Sequence, residues 1–337
     1  MVLDKGALDQ KQLEQIAVAA RLLRRGGIVA FPTETVYGLG ADATNTDAVQ
    51  KVYKIKQRPV DHPLIVHIGD MAQLDIWAVE IPEAARLLAR HFWPGPLTLI
   101  LKRSAHTPDC VTGGQDTVGL RIPAHPVALE LLHMIGPDKA IAAPSANRYG
   151  RISPTTAKHV RNILSDKIDM ILDGGACNIG LESTIVSFED DAVFLLRPGG
   201  IPVSAIESVL SKPVISYQNK KTAVRVPGAL PSHYAPATPL QLFHLPELVQ
   251  TAIKLAAQNL RVAVITWSDA DVSQFSVPNV QHVRMSSDPV RFGQHLYAVL
   301  HQHDQAAIDY ILMETPPELP AWLAISDRLQ RASQAHL

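Results

Sequence analysis

The chain of 337 residues is poor in cysteine, in aromatic residues and in net charge of either sign. Its two cysteines, Cys110 and Cys177, lie far apart and outside any CxxC pair, which argues against a disulfide framework and against a thiolate metal cage. Thirty-one Lys and Arg against 32 Asp and Glu leave a formal charge of -1, so there is no bulk basic field for non-specific nucleic-acid binding, only room for a local basic groove and weak RNA contact. No run approaches the roughly 18 apolar residues of a membrane span, and no membrane partner is expected. MVLDKGALDQ has no apolar block of the secretory kind, so the cytoplasm is the expected location. HExxH is absent, and His301 and His303 in HQHDQ have no obvious third ligand; they read as a surface helix, and no metal site is expected. A GxxxxGK[ST] loop is also missing, so any nucleotide must be held in another way.

What is present is core-forming material. Hydrophobic residues make up 47 % and charged residues 19 %, which excludes a disordered chain, and the length suits about two domains. Leu13, Ile16, Ala17, Ala20 and Leu23 recur at helical spacing before Gly26-Gly27. Strand-length apolar runs follow at 28–31, 64–68, 97–101, 118–122, 140–143, 168–172, 184–188 and 192–196, with helical stretches at 47–56, 81–92 and 124–135. The alternation predicts an α/β fold, and gaps too short for a helical crossover make its sheet mixed. From 211 to 239 the chain turns proline-rich, with a basic cluster and little periodicity, and reads as a linker. A smaller α/β unit follows, with strands at 240–245, 262–267 and 308–313 and helices through Leu248–Ala256 and 290–301. The domains are thus 1–210, a linker 211–239, and 240–337.

The chemistry-bearing residues cluster near predicted strand ends. Gly38-Leu39-Gly40-Ala41-Asp42-Ala43 fits a loose GxGxxA fingerprint, but six residues separate it from the preceding strand, which argues against a dinucleotide turn. Lys54, Lys56 and Arg58 put cations on the last turn of a helix, either as a capped, solvated end or as an anion site. Arg121 ends an apolar strand, where it can clamp a carboxylate or phosphate or pair with a neighbouring acid. Ser145 and Asn147 in Ala143-Pro144-Ser145-Ala146-Asn147 offer a hydroxyl and an amide to a phosphate or ribose, or form an ordinary turn. Asp173-Gly174-Gly175 and Gly180–Thr184 read as a glycine-rich bend, and His67 as either a core histidine or a ligand contact.

Taken in order, nine strings resemble the threonylcarbamoyl-AMP synthase family, the YrdC-like domain in its longer two-domain form: PTETVYGLG (32–40), KQRP (56–59), PLIVHI (63–68), FWPGPLT (92–98), GLRIP (119–123), PSAN (144–147), ESTIV (182–186), LRPG (196–199) and PGALPSHYAP (227–236). They span about 200 residues, and a chance ordering of nine is implausible. The last string keeps the PGxxxxHYAP spacing of the long form. The resemblance implies a twisted, mixed-sheet α/β catalytic domain with a smaller Rossmann-like second domain. It implies a nucleotidyltransferase that turns L-threonine, bicarbonate and ATP, with Mg2+ on the nucleotide, into threonylcarbamoyl-AMP and pyrophosphate for downstream tRNA-modification proteins. Two other readings are a carbamoyltransferase-type maturation enzyme, which would carry extra cysteine pairs, and a non-catalytic RNA-binding or ribosome-assembly module.

By resemblance Lys56 and Arg58 are the catalytic cations, holding ATP phosphates, and His62, Thr117, Ser145, Asn147, Ser153, Arg197 and Tyr234 complete the ATP site. Thr35, His67, Arg121, Ala143 and Ser183 grip threonine, with Arg121 on its carboxylate. Tyr234 is expected to fold over the cleft and exclude water. The chain departs from the family pattern at Gln57, where Gly or a basic residue is usual, and at His62, where Asn is usual; the imidazole can still donate one hydrogen bond.

Overall fold

A computed structural model describes residues 8–216, 224–228 and 233–334; the basic cluster of the linker and residues 229–232 of the PGxxxxHYAP string lie outside the described residues. Two compact units result, Met1–Tyr149 with Pro154–Ala229, and Gly150–Ser153 with Leu230–Leu337.

The first unit is built on one mixed sheet whose strands are β1 (Val29–Phe31), β2 (Gly38–Asp42), β3 (Ile65–His67), β4 (Leu97–Lys102), β5 (Thr117–Arg121), β6 (Ile141–Ala142), β7 (Met170–Ile171), β8 (Thr184–Glu189), β9 (Ala192–Arg197) and β10 (Val214–Ser216). They lie in the order β10-β9-β8-β4-β5-β3-β6-β2-β1-β7. β3 runs parallel to β5 and antiparallel to β6, which makes the sheet mixed as expected. β2 is not among the strands expected from the sequence: the glycine-rich 38–42 stretch is a buried strand pairing β1 and β6. Its Gly40 is required by packing, because a Cβ there would sit 2.8 Å from Ile141 Cγ2 and 2.9 Å from Phe31 Cε1.

Because successive strand side chains point to opposite faces, parity sorts the residues. Val66, Leu99, Leu120, Ala142 and Val186 enter the main core under the helices Thr46–Lys56 and Glu83–Phe92. The opposite parity carries Ile65 and His67 on β3, Thr98 and Ile100 on β4, and Thr117, Gly119 and Arg121 on β5. At one end of that second face the helices Gln10–Arg24 and Pro126–Ile135 cover Val29, Phe31 and Ile141. Elsewhere on it, Val226 packs with Ile65, Ile100 and Ile185. The strap that delivers Val226 is pinned by Arg225, whose Nε and Nη2 donate to the carbonyls of Asp61 (2.9 Å) and Gly113 (2.8 Å).

The second unit holds a fully parallel sheet, β11 (Leu240–Phe243), β12 (Val262–Thr266), β13 (Val280–Arg284) and β14 (Tyr310–Glu314), in the order β11-β14-β12-β13. The helices Leu245–Ala257, Pro289–Gln305 and Leu323–Ser333 accompany it. His301 and His303 do sit on a helix, but not at the surface: they are 5 % and 2 % exposed, and His301 Nε2 lies 3.1 Å from the Ser153 carbonyl. The apolar side of that helix, with Phe292, Leu296 and Leu300, takes the histidines inward with it.

Candidate active site

The polar residues of the second face converge on the turn that leaves β1. Thr33 Oγ1 accepts the main-chain N–H groups of Thr35 (3.1 Å) and Val36 (3.2 Å) and donates to the Val36 carbonyl (2.7 Å), fixing the turn and with it Glu34 and Thr35. With the Thr33 proton so committed, the 2.8 Å contact between the two hydroxyls has Thr35 as donor. Thr35 Oγ1 is then an acceptor for Arg121 Nη1 at 3.0 Å. Arg121 Nε donates to the Gly95 carbonyl (3.1 Å), and Nη2 lies 2.7 Å from Glu34 Oε1. Arg121 and Glu34 form a buried ion pair, both side chains 4 % exposed. Of the two roles open to Arg121 from its sequence, pairing with an acid is realised, and Glu34 is the partner that sequence reasoning left out.

His67, the register partner of Arg121 across β3 and β5, is also buried. Burial first, and the Arg121 charge second, push its pKa down to about 3, so the imidazole is neutral at any working pH. Ser183 shares a 2.7 Å contact with Thr98 and accepts from Arg197 Nη2 at its Oγ (3.1 Å) and its carbonyl (2.9 Å). Arg197 Nη1 donates to the Pro227 carbonyl of the strap at 2.9 Å. Ala143 is buried, its N–H donating to the Ile65 carbonyl at 3.0 Å.

A second cluster lies where the helix Thr46–Lys56 ends. Asn45 caps its start, accepting the Ala48 N–H at 3.1 Å, and Gln57 ends it in the left-handed conformation, φ 55°. That conformation explains why glycine suits this position. The reversal turns Lys56 inward: its ammonium donates to the carbonyls of Ser145 and Asn147, each at 2.5 Å, and it is 1 % exposed. Burial, then the nearby Arg58, hold its pKa well below the usual lysine range. The solvated helix end is thereby overturned for Lys56. Arg58 donates to the carbonyls of His62 (3.2 Å) and Pro63 (2.8 Å) and lies over the Tyr149 ring at 5.4 Å. Tyr149 in turn bonds His62 Nδ1 at 2.9 Å, and burial followed by the Arg58 charge lowers the His62 pKa. Asn147 Nδ2 donates to the Arg148 carbonyl at 2.7 Å. The bridge Gly38↔Ser145 and the bond from Leu39 N to the Pro144 carbonyl tie this loop to β2, three residues beyond Thr35. Thr117 opens β5 with the parity of Arg121.

Ser153 and Tyr234 belong to the second unit. Tyr234 is 1 % exposed with φ 62°, lies under the Arg328 guanidinium (4.8 Å), and stacks on Tyr297 (6.1 Å).

Residues 21–199 match the Sua5/YciO/YrdC family model, described as telomere recombination, and residues 201–334 match that of the threonylcarbamoyl-AMP synthase C-terminal domain. The threonylcarbamoyl-AMP synthase of Bacillus subtilis is 44 % identical over 95 % of this chain and 93 % of its own length. The chain belongs to the threonylcarbamoyl-AMP synthase family. A family member from Schizosaccharomyces pombe is 36 % identical over 94 % of the chain and 87 % of its own length. Among solved structures of the family, Pyrococcus abyssi Sua5 complexed with L-threonine superposes with a TM-score of 0.87 at 38 % identity, covering 96 % of this chain and 95 % of that one.

Proposed function

We propose that the protein condenses L-threonine, bicarbonate and ATP into threonylcarbamoyl-AMP and pyrophosphate, and that its product feeds tRNA modification by other cytoplasmic proteins. The observation that carries the reading is the likeness along nearly the whole chain, both units included, to relatives that bear this name.

The reaction accounts for the residue types. The threonine nitrogen, once deprotonated, bonds the carbon of bicarbonate as a C–O bond breaks and water leaves; an oxygen of the resulting carbamate then attacks the α-phosphorus of ATP, and pyrophosphate leaves. Carboxylate, carbamate and triphosphate must approach one another, so buried cations have to offset their repulsion. Lys56 and Arg58 hold phosphate oxygens, with His62, Thr117, Ser145, Asn147 and Arg197 around the nucleotide. Thr35, His67, Arg121, Ala143 and Ser183 receive threonine. A polyanion beside Lys56 favours its ammonium form, against the burial that opposes it. The donor set here suits phosphate, and Mg2+ would arrive with the nucleotide and offset part of its charge. No side chain has to become a covalent nucleophile, so positioning and charge do the chemistry.

The test is pyrophosphate release from ATP with labelled bicarbonate and each of several amino acids. Release that depends on threonine, with label entering an acid-labile adenylate, is expected. RNA retention without turnover refutes the reading in favour of a binding module.

A further inference from the structure

Four buried polar atoms without a hydrogen-bond partner fall on three adjacent residues: Glu34 Oε1 and Oε2, Arg121 Nη2 and His67 Nδ1. Such atoms are rare in folded proteins, and leaving one unpaired costs stability, more when it is charged. Their clustering on one patch of one sheet face marks a built site rather than scattered packing faults. Glu34 is 3 % exposed, and its carboxylate lies 2.7 Å from Arg121 Nη2 without the alignment of a hydrogen bond. The ion pair engages Oε1 and leaves Glu34 Oε2 available to a donor. Held by Gly95 and Thr35, the guanidinium cannot turn to satisfy it.

We propose that Glu34 binds the substrate's α-ammonium while Arg121 binds its α-carboxylate, so that the pair recognises the zwitterionic head of an α-amino acid. This rests on the threonine reading of the same site and extends it to the atom that reacts: the residue that holds the nitrogen sets where the carbamate forms. The charges decide the matter. The pair is neutral overall and meets a ligand that is neutral overall, each charge facing its opposite. A ligand with a carboxylate but no ammonium instead brings a second anion beside Glu34 in a buried site and is repelled. Specificity for an amino acid over a plain hydroxy acid therefore comes from a repulsive element as well as an attractive one.

The experiment is calorimetric titration of the full chain, without ATP, using L-threonine and 3-hydroxybutanoate, which is threonine lacking its amino group. Glu34→Gln keeps the shape and removes the charge. The expected result is a crossing: the variant binds threonine roughly ten- to a hundredfold more weakly than wild type, and 3-hydroxybutanoate more tightly than wild type does. If affinity for both ligands falls in parallel, Glu34 only buttresses Arg121 and the proposal fails; unchanged affinities overturn it as well. Should the glutamine variant not fold, Glu34→Asp keeps the charge but draws it back by one methylene, so threonine should bind more weakly while 3-hydroxybutanoate is still rejected; unchanged threonine affinity counts against the proposal. Wild-type protein that ignores threonine altogether overturns the functional reading itself, whereas wild type that binds threonine beside a variant that binds it equally well overturns the Glu34 assignment alone.

Discussion

His67 offers the sharpest test of how closed the second sheet face is. In the native protein its imidazole is held neutral down to about pH 3, whereas in the unfolded chain it titrates at the ordinary 6.5. The unfolded state therefore binds the extra proton between these two values, and native stability is lost as pH falls from about 6.5 towards 3. At pH 5, about 1.5 pH units below the unfolded value, the loss from this one side chain is about 2 kcal/mol, at about 1.36 kcal/mol per unit. At pH 7.5 it is close to nil. The perturbation is His67→Gln, which keeps a polar side chain of similar reach and cannot titrate. Urea unfolding of both proteins at pH 5 and pH 7.5, followed by circular dichroism, gives four free energies for the transition that the substitution shifts. Wild type should lose about 2 kcal/mol more than the variant between the two pH values. Equal losses would mean that His67 protonates freely in the native protein, and the sheet face would then be wet.

Three further outcomes follow from contacts described above. Lys56→Met leaves the Ser145 and Asn147 carbonyls without their donor, so a stability loss of about 2 kcal/mol or more is expected in urea, together with a rise in KM for ATP that exceeds any rise for threonine in steady-state pyrophosphate release. Gln57→Gly relieves a left-handed residue at the helix end and should stabilise the protein by up to about 1 kcal/mol in the same unfolding assay. Gly40→Ala drives a methyl group against Ile141 and Phe31, and a loss of about 1–3 kcal/mol should appear there, with far-UV circular dichroism unchanged.

Most strands of the first unit were legible because each is a short apolar run. Those that were missed are instructive. β2 carries two glycines in five residues, which hides its strand signature, and only the approach of Phe31 and Ile141 reveals why a strand should carry them. β13 lies at a sheet edge with no fully buried residue, so VQHVR shows no apolar signature. In the site, the cations could be located from their positions at strand and helix ends, but their partners could not, since the carbonyls that hold them come from distant parts of the chain. Glu34 had one available signal, a carboxylate between two threonines at a strand exit that folds inward. Nothing local distinguishes it from a solvated turn residue; its burial comes from β5 and from Ile179, whose N–H donates to the Glu34 carbonyl at 2.8 Å.

The ammonium of Lys56 and the guanidinium groups of Arg58, Arg121 and Arg197 are all anchored to peptide oxygens, those of Ser145, Asn147, His62, Pro63, Gly95, Ser183 and Pro227. An anchor of this kind is indifferent to the identity of the amino acid that supplies it. The side chains that flank these carbonyls can therefore be exchanged while the positive charges keep their coordinates. At position 62, where the family resemblance leads to an expectation of asparagine, the histidine leaves the grip of Arg58 intact, because Arg58 Nε holds the backbone carbonyl there.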